Sequence, residues 1–242
     1  MEALKKTDFD VLAMLEEYRL QLLDFYKPFF ALEKDLNGFV NLALNFDDNN
    51  SSVRFMIQQV HRFVSLANDI EKIRPNRDPL RIFFIKICME SLCKNVNKEQ
   101  KEFFLIFANC FSEEAKSYIT SCFEYTGINL PDSISSNERR MYCEYESHSF
   151  CFNDFFMLIK AVRDIVVHEG DYWSMQLFSY DDESIWITSL TTKENIFELE
   201  EKLNREVTYN FHTKLNYSRF IYYFVEACIG FIKKAIKGFQ ET

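Results

Sequence analysis
The chain has 242 residues, a formal net charge of −9 and 48% apolar residues. That composition is globular, far from that of a disordered chain, and can fill a substantial core. The acidic balance excludes a broad basic nucleic-acid clamp, so any RNA contact must come from a local patch.

Only five Gly and four Pro are present, too few for the turns of a β-sandwich of this length. The expectation is a mainly helical, all-α bundle of about seven helices with one small β-hairpin near 174–190. One domain over 1–242 is expected, with INLPDSISSNERR (128–140) as the candidate internal boundary.

In chain order, residues 8–34 carry Phe9, Leu12, Leu15, Leu20, Leu23 and Phe29 at helical spacing. Thr7 is the expected N-cap, and Pro28 is expected to kink or end the helix. After the polar break NFDDNNSS, residues 51–73 read as a second long helix. Asp78 is expected to cap a third, with Pro79 in its first turn. A shorter helix follows over 97–109, and Ser112 with Glu113 and Glu114 starts another that should end at Gly127.

Residues 149–168 form an apolar helix, with Gly170 placed to stop it. SMQLFSYDDESIWITSL then alternates about YDDES and predicts the hairpin. Thr191-Thr192-Lys193-Glu194 reads as a capping box opening a short helix to about Leu203. The last helix covers about Tyr217–Phe239.

The seven cysteines form no C-x-x-C pair, and most sit among Phe, Ile and Leu. Reduced thiols in a cytoplasmic protein are the simplest account, since MEALKKTDFD has no signal-peptide pattern. Phe220–Ile232 is too short to span a bilayer and contains Glu226, so no membrane segment is expected. His148 and His212 lack partners at ligand spacing, so neither metal nor other cofactor is expected. Asp181, Asp182 and Glu183 read as a solvated hairpin tip. Arg54 and His61 lie seven apart in mid-helix and read as a surface stripe.

The stretch AVRDIVVHEGDYW (161–173) stands apart, because it puts Arg163 and Asp164 inside an apolar helix with His168 just before its stop. Five residues turn a helix by about 140°, so Arg163 and His168 do not share a face within one chain. A symmetric dimer could bring them together by setting the same helix end opposite itself. The structural alternative is a histidine favoured by a helix C-terminus and an arginine paired with a carboxylate.

Arg163-Asp164-Ile165-Val166-Val167-His168 resembles the R-x4–6-H signature of the HEPN superfamily (higher eukaryotes and prokaryotes nucleotide-binding). In that family the residue after the Arg is commonly polar, as Asp164 is, and the motif lies near the end of an apolar helix in an all-α domain. The resemblance implies a homodimer that cleaves RNA without a metal, with Arg163 and His168 of two protomers at the cleft. A ribose 2′-OH attacks the neighbouring phosphate and leaves a 2′,3′-cyclic phosphate.

Histidine suits proton transfer near neutral pH, and arginine suits charge on a phosphorane oxygen. Asp164 could orient either residue, and Tyr172 and Trp173 could stack on a base. Family members include toxins with antitoxin partners and abortive-infection proteins. They also include non-catalytic modules that bind a protein or nucleotide, which is the rival reading here.

Overall fold
The computed structural model describes residues 2–47, 51–96, 100–129, 149–168, 175–177, 186–194, 196 and 202–240. Eight α-helices and three strands are seen among them: α1 (Glu2–Tyr26), α2 (Glu33–Ala43), α3 (Ser51–Ile73), α4 (Asp78–Asn95), α5 (Gln100–Ala108), α6 (Glu113–Ser121), β1 (Phe123–Asn129), α7 (Phe152–His168), β2 (Trp186–Glu194), β3 (Lys202–Thr213) and α8 (Tyr217–Gln240). The mainly helical expectation holds. The β part is larger than a hairpin, being a three-stranded antiparallel sheet of order β1-β3-β2.

The first expected helix is two. Pro28 sits in a 3-10 turn, Lys27–Phe29, which ends α1, and the chain restarts at Glu33. α3 and α4 match their expected spans. Asp78, however, is not the cap: Arg77 holds that place, and Asp78 lies in the first turn with Pro79. Ser112 does cap α6, its hydroxyl accepting from Ala115 N at 3.2 Å. Ser112→Ala should cost about 1 kcal/mol, read as a lower midpoint in urea with an unchanged slope.

α6 ends at Ser121, well short of Gly127. The chain passes directly into β1, whose Phe123 pairs with Thr213 of β3. Gly127, at φ 142°, sits at a bulge in that pairing rather than at a helix stop.

The capping box at 191–194 is part of a strand. Thr188, Leu190 and Thr192 face inward while Ser189, Thr191 and Lys193 face out. This period of two suits β-branched residues, and it overrides the local S/T-x-x-E signal. The hairpin partner of β2 is therefore β3, with Leu190 opposite Tyr209 and the Thr191 and Thr208 hydroxyls 2.8 Å apart. The expected strand before YDDES is absent at 175–177, which have no regular structure. Asp181, Asp182 and Glu183 lie outside the described residues, as do His148, Gly170 and most of 128–140.

The core is rich in phenylalanine. Phe107 of α5 meets Phe156 of α7 and both Phe224 and Phe231 of α8, at ring-centroid distances of 6.4, 5.9 and 5.9 Å. α7 packs on α4, α6 and β2, so the helix carrying the motif is held by both the bundle and the sheet. Cys88 and Cys228 are buried in this core as free cysteines, in no disulfide. No helix among the described residues is long and apolar enough to cross a membrane.

A polar knot forms about the start of α4. Asp78 is buried, its Oδ1 accepting from Arg81 Nη1 at 2.9 Å and its Oδ2 from Leu177 N at 2.7 Å. Arg81 lies against the Tyr217 ring, Cζ 3.1 Å from the centroid, and Glu71 Oε2 is 3.5 Å from its Nη1. The Tyr217 hydroxyl donates to Asn68 Oδ1 at 2.8 Å. Four parts of the chain thus meet at the Asp78–Arg81 pair: α3, α4, the segment at 175–177 and the start of α8.

Candidate functional site
Asp154 opens α7 by accepting from Cys151 N at 2.7 Å, and the helix then runs with Phe155, Phe156, Ile159 and Val162 turned into the core. Arg163 lies just past this buried run. Its side chain is 29% exposed, and Val167 is 49% exposed, so the last turns of α7 reach the surface. His168 is the final residue of α7. Its side chain lies outside the described residues, as do Tyr172 and Trp173 entirely.

Arg163 is clamped on two sides. Nη1 donates to Asp164 Oδ1 at 2.5 Å, and Nη2 stands 3.5 Å from Glu90 Oε1 of α4. Its Nε is buried without a hydrogen-bond partner among the described residues. Burial disfavours the charge on Arg163, but the hydrogen bond to Asp164 and the nearby charge of Glu90 outweigh it and raise the pKa above its usual value. The structure therefore brings Arg163 and Asp164 together and adds a carboxylate from another helix.

Glu90 also faces Lys86, one turn earlier on α4. Lys86 Nζ is 3.5 Å from the same Oε1 and lies 4.4 Å from the centre of the Phe104 ring. Lys86 is only 1% exposed, and Nζ has no hydrogen-bond partner among the described residues. Burial pushes its pKa down to about 8, against the opposing pull of Glu90.

A folded-state pKa of about 8, below the unfolded value near 10.5, means that the unfolded chain binds the extra proton between those limits. Stability from this group therefore rises with pH across about 8–10.5, and the cost of about 3 kcal/mol is complete below it. Lys86→Met should be more stable than the parent at pH 7 by up to about 3 kcal/mol, with the gain falling to less than half at pH about 9.5. Urea denaturation at both pH values measures it.

Neither Lys86 nor Glu90 stood out in the sequence. The available signal was a Lys and a Glu at i, i+4 inside IFFIKICMESLC, an otherwise apolar run. The other Arg–His pair is not the surface stripe expected. His61 packs edge-on against Phe25 and Tyr18 of α1, with centroids 5.0 and 5.8 Å apart, and burial lowers its pKa. Arg54 is half-buried, with Phe46 and Phe55 as its aromatic neighbours. His212, on β3, faces Glu124 Oε2 across 3.5 Å.

No family model, curated protein or solved structure matches the chain.

Proposed function
We propose that the protein is a HEPN-like endoribonuclease of the toxin or defence type, which cleaves RNA without a metal at the cleft of a homodimer. The single observation that carries this reading is the setting of the motif. Arg163 is held by Asp164 and Glu90 near the surface-reaching end of an otherwise apolar helix whose last residue is His168.

In the proposed reaction, His168 takes the proton of the 2′-OH as the 2′-O–P bond forms, the P–O5′ bond breaks with a proton delivered to the leaving 5′-oxygen, and Arg163 meets the charge that grows on the phosphorane oxygens. Asp164 and Glu90 hold the guanidinium in place, which limits the entropy lost when the phosphate arrives. The dimer supplies each active Arg163 and His168 with a second copy that the helix geometry denies them within one chain. An antitoxin or other protein partner would cover this cleft.

A second reading is favoured by one specific observation. Two nitrogens of Arg163 already face carboxylates, and the whole chain carries −9. On that reading the clamp is structural and the protein is a non-catalytic helical module that binds a protein or nucleotide.

Incubation of the purified chain with RNA in EDTA separates the two, with products examined for a 2′,3′-cyclic phosphate and oligomeric state measured by sedimentation. The nuclease reading expects cleavage by a dimer and its loss in Arg163→Ala and His168→Ala. A monomer, or cleavage equal in all three proteins, overturns it.

A further inference from the structure
Independently of the nuclease reading, we infer that the cleft between α4 and α5 is a binding site for a small monocarboxylate with an apolar body, its oxyanion received by Lys86. The cleft measures about 260 Å³ and is lined by Met89, Cys93, Phe103 and Phe104, with Lys86, Glu90 and Lys94 as its charged residues. A dry apolar cavity of about 150 Å³ already holds a benzene-sized ring, so this one has room for a ring and a carboxylate.

Charge selects the ligand. Among the described residues, two cations and one carboxylate line the cleft, a net positive lining in a chain of −9. Among the described residues the one carboxylate, Glu90, is shared with Arg163, and α5 presents the two phenyl rings of Phe103 and Phe104. One negative charge balances this lining, and a dianion overshoots it.

Chemistry selects the contact. An ammonium has three donors, and that of Lys86 has a single long contact, 3.5 Å to Glu90 Oε1, among the described residues, which leaves donors free. A buried, unsatisfied donor is costly, and an entering oxyanion removes that cost with a charge-assisted bond. Nζ rests against the ring of Phe104, which lines the cleft with it, and its flexible stem lets the ammonium turn to an entering oxyanion. Lys94, exposed at the rim, adds attraction at the mouth.

The probe is benzoate, titrated into the full chain at pH 7 and followed by amide NMR, with benzamide as the neutral isostere and phenyl phosphate as the dianion. Benzoate should give saturable shifts at amides of α4 and α5 with a Kd of about 10 mM or tighter, the range expected for nine heavy atoms. Benzamide and phenyl phosphate should bind more weakly, and Lys86→Met should weaken benzoate by about tenfold or more. Lys94→Gln changes an exposed residue only, and should produce a smaller loss. Equal binding of benzamide, tighter binding of phenyl phosphate, unchanged affinity in Lys86→Met, or no saturable shift in the parent overturns the proposal. If Lys86→Met fails to fold, the comparison of benzoate with benzamide on the parent chain still decides.

Discussion
His168→Ala and Arg163→Ala should each lower single-turnover RNA cleavage by about 10²–10⁴-fold, with the double variant little worse than either single one. Proton transfer by a positioned imidazole contributes that much, and loss of a donor aimed at developing charge costs a similar amount. Residues that act as one unit are not additive, so the double variant tests whether the two cooperate. Asp164→Asn keeps an oxygen for Arg163 but removes the charge beside Nη1, so it should fall between the parent and Arg163→Ala. A full product of the two single losses in the double variant would show independent roles. Parent-like rates in both singles would remove the motif from the chemistry.

Asp78→Ala should destabilise the fold by about 3–5 kcal/mol, the usual cost of removing one partner of a buried charge pair. The substitution leaves the Leu177 N–H without its acceptor and takes from Arg81 its 2.9 Å partner. Glu71, at 3.5 Å and more exposed, compensates only in part. For a chain of this length the melting temperature should drop by roughly 10 °C, which calorimetry reads directly.

The Asp78 pKa is raised by burial despite the opposing Leu177 N–H and Arg81, so these partners do not fully offset the desolvation of its carboxylate. Its role is to fix where four chain segments meet. Accordingly, the double variant Asp78→Ala with Arg81→Met should lose less stability than the two single losses added together. Simple addition would mean that the two side chains act separately.

Much of the helical frame could be read from the sequence because its signals are local. Pro79 marks the start of α4, and the apolar spacing of 152–166 marks α7. The sheet could not be read in this way. β1 pairs with β3 from Phe123↔Thr213 to Asn129↔Thr208, a contact between distant parts of the chain that no short window contains. TTKE carries a valid helix-start pattern, yet the alternating burial of Thr188, Leu190 and Thr192 decides for a strand once β3 lies alongside. At the site, Arg163 and Asp164 were legible as a motif. Glu90 and Lys86 were not, because apolar Leu80, Phe83, Phe84 and Ile87 also occupy the less buried half of α4 and no polar face marks the two out.

One oxygen, Glu90 Oε1, answers to both Lys86 and Arg163. Whatever draws Lys86 away leaves that oxygen to the guanidinium alone, and whatever engages the guanidinium leaves it to the amine. By thermodynamic reciprocity, occupancy on either side must alter affinity on the other by the same factor. On the two proposals above, the cleft and the end of α7 are linked through that oxygen, and measuring one with the other filled tests for the link and gives its strength.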